Sequence, residues 1–156
     1  KMKRISKHIS YKESIYSDTA KRRGIINKPK KEHIENMELI AEKVFEPLRE
    51  FVGHPIKINS MFRSKDLNTA IGGSKTSSHM DGSAIDLTSM GGKSNLEMFH
   101  YIKDNLEFDQ LIWEFGVEEP KWIHVSYINR KHKKKQVLVC RKKGRFVTWD
   151  GCVGCK

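Results

Sequence analysis

The longest regular pattern of apolar positions in the chain lies between Lys31 and Phe51. Apolar side chains recur there at intervals of three or four residues, which is the spacing of one face of an amphipathic helix. Proline removes a backbone donor, so we expect Pro47 to kink or divide this helix and Gly53 to end it. The apolar stripe comprises Ile34, Met37, Ile40, Ala41, Val44, Leu48 and Phe51.

Shorter patterns follow this helix. Residues Pro55–Phe62 alternate between apolar and polar positions, which predicts a strand. Ser64 is placed to cap a short helix over Lys65–Ile71. Ser94 and Glu97 have the spacing of a capping box, which predicts the start of another helix.

In the second half of the chain, apolar and polar residues alternate with a period of two, which is typical of strands. Helices followed by an antiparallel meander predict an α+β fold, with N-terminal helices packed on an antiparallel sheet. Residues 1–30 are polar and basic, and we expect them to form an irregular arm with at most one short helix. The predicted strands are Ser83–Thr88, Asp109–Phe115, Trp122–Ile128, Gln136–Arg141 and Phe146–Trp149.

The size and composition of the chain suit one domain over residues 1–156, with 37% hydrophobic residues to build one core. Charges interrupt every apolar run before the roughly 18 residues of a membrane span. The basic N-terminus lacks the apolar stretch of a secretory signal. We therefore expect synthesis in the cytoplasm and another route to any substrate outside it.

A formal net charge of +11 favours polyanionic partners, and two basic runs at 130–135 and 141–145 carry much of it. Such runs are typical of solvated β-turns. Nucleic acid and the anionic polymers of a bacterial wall would both attract them, so charge alone does not decide function.

The chain has three cysteines, which are too few for a disulfide framework. Cys152 and Cys155 lie in a predicted flexible tail over 150–156. A labile disulfide, or a second metal site shared with Cys140, stays open, and we assign these residues no role.

The candidate chemistry centres on His79 and Asp86, seven residues apart with Gly82 between them, and on His124 far downstream. In their predicted strands, Asp86 and His124 each project from one face while apolar neighbours face the other way. Two histidines, one aspartate and a water are the ligands of an open catalytic zinc site, which lowers the pKa of its water to about 7. We do not expect the remaining histidines to be ligands: His8, His33, His54, His100 and His132.

Zinc hydrolases also need a general base. If the strand Asp109–Phe115 pairs with Trp122–Ile128, Glu114 lies near His124. A carboxylate in that position can take a proton from the attacking water.

Two motifs in this order, Ser-x-His-x-x-Gly-x-Ala-x-Asp at 77–86 and Trp-x-His at 122–124, resemble the zinc D-alanyl-D-alanine carboxypeptidase family. That family includes phage endolysin endopeptidases of the L-alanyl-D-glutamate type. It belongs to a superfamily with lysostaphin-type peptidases and hedgehog signalling domains. The resemblance covers residues 30 to 128 and also includes Leu48-Arg49-Glu50, Met61-Phe62-Arg63-Ser64, Leu67-Asn68, Gly72-Gly73-Ser74 and the segment from Phe108 to Glu114.

The resemblance implies that His79, Asp86 and His124 bind one Zn²⁺ ion. It also implies that Arg63 lies beside the metal. There its charged fork would bind a substrate carboxylate or the developing oxyanion.

The base differs among relatives. Many carry an acidic residue three positions before the last histidine, where this chain has Lys121. Hedgehog-like relatives carry a glutamate at the end of the preceding strand, and Glu114 matches that arrangement. Glu118 and Glu119, in the loop between the two strands, are the alternatives.

The resemblance therefore implies a hedgehog/D-Ala-D-Ala-peptidase-like fold and a zinc metallopeptidase that cuts the stem peptide of peptidoglycan. Both a D-Ala-D-Ala carboxypeptidase and an L-Ala-D-Glu endopeptidase fit. We expect a monomeric phage endolysin or virion-associated lysin that also meets anionic wall polymers, without nucleic acid as a partner. A cytoplasmic dipeptidase, a metal-stabilised binding module with little hydrolysis and a basic polyanion-binding protein stay open.

Overall fold

The computed structural model describes residues 4–129 and 134–151, and in these ranges it has the predicted α+β architecture. A sheet of six strands carries helices on one face, and a separate pair of short strands lies near the N-terminus. The helices are α1 (Tyr11–Ile15), α2 (Asp18–Arg23), α3 (Lys31–Ile40), α4 (Glu46–Val52), α5 (Lys65–Ala70) and α6 (Asn95–Asn105). The strands are β1 (Arg4–Ser6), β2 (Ile9–Ser10), β3 (Ile56–Ser60), β4 (Ala84–Ser89), β5 (Gln110–Glu114), β6 (Trp122–Ser126), β7 (Gln136–Lys142) and β8 (Arg145–Thr148).

The long helix predicted over Lys31–Phe51 is divided, as expected, just before Pro47. A π-helical turn, Ala41–Phe45, joins α3 to α4, and the N–H of Glu46 donates to the carbonyl of Ala41. Pro47, which has no N–H to donate, stands in the first turn of α4, the part of a helix where proline is tolerated. The buried stripe of this bent helix comprises Met37, Ile40, Ala41, Val44, Phe45, Leu48 and Val52.

The N-terminal residues are more regular than the predicted irregular arm with at most one short helix. They form two short strands and two short helices. Serine side chains cap both helices: Ser10 accepts from Glu13 N, and Ser17 accepts from Ala20 N. The Glu46 carboxylate also ties the β1–β2 pair to α4, because it accepts 2.6 Å hydrogen bonds from Ser6 Oγ and His8 Nδ1. That anchor joins residues far apart in sequence, so the local pattern could not reveal it.

The sheet has the order β3-β4-β6-β5-β7-β8 and is mixed, which corrects the expectation of an antiparallel meander. Strand β7 runs parallel to β5. Both edges of β6 are already paired, with β4 and with β5, so β7 cannot pair with β6 and instead pairs with the outer edge of β5. Since β6 ends beside the start of β5, at the pair Ser126 and Gln110, the following connection leads β7 in the parallel direction.

The two faces of the sheet have different roles, as the period of two predicts. One face buries Ile85, Leu111, Trp113 and Val125 in the main core, together with the helices. Alternation places Asp86, His124, Glu114 and Ile112 on the opposite face, which we call the site face. The helices thus leave the site face of the sheet for chemistry.

Several sequence features lie outside the described residues. They include Cys152 and Cys155, residue His132, and four residues of the basic run at 130–135. Among the helices that the structure describes, none has both the length and the apolar character of a membrane span.

Gly82 allows the loop between His79 and Asp86 to pack directly on α3. Its φ is +77°, and a Cβ there would lie 2.5 Å from the backbone oxygen of His33 and 3.0 Å from Met37 Cγ. A left-handed conformation alone costs a residue with a side chain about 1–2 kcal/mol. Backbone cannot yield as a side chain does, so a clash with it adds a further cost.

We expect Gly82→Ala to lower the free energy of unfolding by about 2–5 kcal/mol, measured by urea denaturation. Gly24→Ala is the matched control, because Gly24 has a φ of +66° and nothing within 4 Å of the added Cβ. It should lose only about 1–2 kcal/mol. Equal losses in the two variants would show that close packing on α3 is unimportant.

Candidate metal and catalytic site

Three side chains converge on the site face from separate elements. His79 lies in the 3₁₀ turn Ser78–Asp81, and its backbone N–H donates to Ser77 Oγ. Asp86 and His124 are direct partners in the antiparallel pairing of β4 with β6. One ligand atom from each of the three lies within 4.8 Å of the others, so the group could hold a metal ion.

His79 is oriented by a backbone carbonyl. Its Nδ1 lies 2.7 Å from Met61 O and its Nε2 lies 3.3 Å from Asp86 Oδ1. Burial lowers the pKa of this imidazole and favours the neutral form, in spite of the charge of Asp86. A neutral imidazole has one N–H, which Nδ1 donates to the carbonyl. The lone pair of Nε2 then faces a carboxylate oxygen, and a cation between the two atoms would satisfy both.

Asp86 contacts both histidines and Arg63. Its Oδ1 lies 2.9 Å from His124 Nδ1 as well as near His79, and its Oδ2 accepts a 3.3 Å hydrogen bond from Arg63 Nη2. Burial alone would raise the pKa of Asp86, but the interactions with His79 and His124 outweigh it and lower the pKa. The carboxylate is therefore ionised, as a metal ligand must be.

The donor set fits zinc. Ligands at about 2.0–2.1 Å from a tetrahedral zinc are separated from one another by about 3.3 Å. The two nitrogen-to-oxygen distances in this group, 3.3 Å to His79 and 2.9 Å to His124, are close to that separation. The carbonyl of Met61 supplies the outer partner that metal-binding imidazoles usually have.

Arg63 lies beside this group, as the resemblance implies, and its guanidinium is held from three sides. Nε donates to Ser60 Oγ at 3.0 Å, Nη1 to Asn68 Oδ1 at 3.3 Å, and Nη2 to Asp86 Oδ2 at 3.3 Å. These bonds use three of the five N–H groups of an arginine. Within the described contacts, one N–H on each terminal nitrogen is left for a substrate oxygen.

The residues that hold Arg63 could not be identified from the sequence pattern. Asn68 is only 3% exposed, and its Nδ2 donates to Ser74 O at 2.8 Å while its Oδ1 accepts from Arg63. The one available signal was a polar residue within the predicted helix Lys65–Ile71, and helix periodicity could not say that it faces the site. Ser60 gave no signal beyond its place on the apolar side of the alternating strand.

Glu114 lies at the end of β5 on the site face, two residues along the strand from Ile112, which is the register partner of His124. Burial raises the pKa of Glu114 to about 6. The charges of His124 and Arg63 act in the opposite direction, and that of Asp86 adds to the effect of burial. The structure thus brings this carboxylate into the electrostatic environment of the histidine–aspartate group, as the sequence predicts.

The thiol of Cys140 is the direct neighbour of Glu114 on β7, a contact that the sequence did not reveal. Burial and the nearby Glu114 carboxylate both raise the pKa of this thiol, so it stays protonated. A hydrogen bond between the two side chains lowers the pKa of Glu114 in turn. Cys140 therefore acts as a neutral partner of the carboxylate, without the thiolate that nucleophiles and metal ligands need.

Glu118 and Glu119, the alternative bases, are exposed in the loop between β5 and β6. Within the described part of the chain, no hydrogen bond or ion pair joins either residue to His79, Asp86 or His124. Lys121, in the position that is acidic in many relatives, is also exposed.

Comparison with known proteins agrees with this geometry. The model of the family described as peptidase M15 matches residues 7–126, which include all of the side chains described above except Cys140. A search of curated proteins finds no match to the sequence. Because the family match extends over more than half of the chain, the protein belongs to the peptidase M15 family of zinc-dependent metallopeptidases.

Proposed function

We propose that this protein hydrolyses an amide bond in the stem peptide of bacterial peptidoglycan, with one Zn²⁺ ion held by His79, Asp86 and His124. The observation that carries the proposal is the position of Glu114, a half-buried carboxylate with a pKa of about 6 on the same sheet face as the histidine–aspartate group. A module that only binds its ligand transfers no proton, so it does not need a carboxylate whose pKa suits a general base.

Each side chain has a defined part in this mechanism. The bound zinc would polarise the scissile carbonyl and lower the pKa of a water. Glu114, ionised near neutral pH, accepts the proton of that water and passes it to the leaving amine. A base with a pKa near the working pH is the most effective for both transfers.

Arg63 supplies the second electrostatic element. Its two remaining N–H groups face neither Ser60 nor Asn68, and they can bind a substrate carboxylate or the developing oxyanion. Because Asp86 Oδ2 also bonds to Arg63, the position of the guanidinium is fixed relative to the metal ligands.

We further propose that the protein acts as a monomeric phage endolysin or virion-associated lysin. The resemblance of its motifs to phage endolysin endopeptidases supports this role. The net charge of +11 supports contact with the anionic polymers of a bacterial wall.

The metal site predicts tight binding of one zinc ion per chain, measured by titration against a chromophoric chelator. His124→Ala should weaken binding by more than the roughly 10–100-fold that losing an outer partner costs. His54→Ala is the matched control, because His54 lies outside the group and should leave the affinity unchanged. Chelation should also lower the melting temperature of the wild type, since a metal that binds only the folded state stabilises it. Equal affinities in the two variants would contradict the site.

The base is tested by digestion of purified peptidoglycan with mass analysis of the fragments. We expect Glu114→Gln to lower kcat by roughly 10²–10⁴-fold, because the amide keeps the shape but cannot accept the proton. Zinc affinity should be unchanged, since Glu114 is not in the ligand group.

The matched controls are Glu118→Gln and Glu119→Gln, which should keep full activity because both side chains are exposed in the loop. If one of them abolishes cleavage while Glu114→Gln does not, the assignment of the base is wrong. If the folded, zinc-loaded wild type cleaves none of several wall chemotypes, the proposed function itself is wrong.

The pKa of Glu114 predicts the acid limb of the pH profile. The base works in its ionised form, so kcat/KM should fall about tenfold per pH unit once Glu114 is protonated. That pKa is about 6 without a metal, and a nearby dication lowers it, so the limb should lie at or below pH 6. The residual activity of Glu114→Gln should lack this limb. A limb above pH 7, or one that persists in Glu114→Gln, would exclude Glu114 as its source.

A further inference from the structure

The hairpin of β7 and β8 lies next to the candidate site but outside the region that matches the family, residues 7–126. Its parallel pairing with β5 sets Cys140 directly beside Glu114. The hairpin therefore extends the sheet on the side of the proposed base.

The first half of the hairpin extends the site face with apolar surface. Leu138 and Cys140 form a small cluster with Ile112, and Phe115 packs against it. This cluster is separate from the main core on the opposite face of the sheet. Alternation along β5 and β7 puts its members on the same face as Glu114.

The tip of the hairpin approaches the loop that follows α5. A Cβ placed on Gly72 would lie 3.1 Å from Lys143 Nζ. The next residue, Gly73, packs so closely on Asn68 that a Cβ there would lie 2.1 Å from Asn68 Oδ1. That same oxygen accepts the hydrogen bond from Arg63 Nη1. The hairpin thus extends from beside Glu114 to Gly72, whose neighbour Gly73 packs on one of the residues that hold Arg63.

Lys143 brings a second cation to this end of the site. Within the described residues, no carboxylate lies within ion-pair distance of its ammonium group. Lys142 and Arg145, on either side of the turn, add positive charge to the hairpin. A lysine is a compact point charge with three donors, suited to a carboxylate that arrives in variable geometry.

We propose that Lys143 is a specificity-determining residue that binds a free carboxylate of the peptide substrate at the Arg63 end of the site. The inference rests on the proposed peptidase function, because it takes the substrate to be a stem peptide. Stem peptides carry two carboxylates that could meet this cation. One is the C-terminal carboxylate and the other is the α-carboxylate of the γ-linked D-glutamate.

The experiment measures binding, so that it does not depend on turnover. The probe is the synthetic peptide L-Ala-γ-D-Glu-L-Lys-D-Ala-D-Ala, prepared in four forms: both carboxylates free, either one amidated, and both amidated. Dissociation constants are measured by calorimetry with zinc-loaded Glu114→Gln, with and without Lys143→Gln. We expect Lys143→Gln to weaken binding of the free peptide about two- to fivefold, the usual scale of a solvent-accessible charge pair.

Amidation of the recognised carboxylate should weaken binding to Glu114→Gln by a similar factor. It should also remove the difference in affinity that Lys143→Gln causes. The amidated peptide that gives this result identifies which carboxylate Lys143 binds. Lys143→Arg should restore affinity, because it keeps the charge. Lys12→Gln, on α1, has the same change in net charge and should have no effect.

The proposal is overturned if Lys143→Gln leaves the affinity for the free peptide unchanged, or if it weakens all four peptides equally. The second result would show that Lys143 only shapes the hairpin. Cleavage of the same free peptide by the wild type is measured separately. Its failure would count against the proposed function, whereas the binding results decide the role of Lys143.

Discussion

The site depends on a single carboxylate shared among three groups that attract it. Asp86 Oδ1 meets His79 and His124, while its Oδ2 meets Arg63. An ionised carboxylate is costly to bury unless it is paired and hydrogen-bonded, so these contacts are needed for the core strand β4 to carry it at all. The same contacts fix the two imidazoles and the guanidinium relative to one another. One requirement of burial therefore organises both the candidate metal ligands and the candidate electrophilic group.

The pairing of strands in the sheet places a hydrogen-bond partner beside the Asp86 carboxylate. Antiparallel pairing places Asp86 opposite His124, and alternation sends their apolar neighbours into the core on the other face. His79 comes from a turn whose approach to α3 depends on Gly82, where any side chain would strike the backbone of His33. Packing on the helical side and chemistry on the open side are thus two results of the same strand geometry.

Much of this arrangement could be predicted from the sequence, because it is local. The period of two identified the faces of Asp86, Glu114 and His124, and Ser94 with Glu97 marked the start of α6 correctly. Features set by long-range contacts could not be predicted in this way. The parallel direction of β7 follows from which strand edges are already occupied, and the neighbour of Glu114, Cys140, follows from that direction. No local pattern carries such information.

The edge position of β7 and β8 has a consequence for how such enzymes diversify. An edge hairpin can change length, sequence or charge without separating any other pair of strands, because only β5 bonds to it from within the sheet. The candidate metal ligands, by contrast, lie on central strands and on a turn packed against a helix. Evolution can thus exchange the edge hairpin as a module while the histidine–aspartate group stays the same.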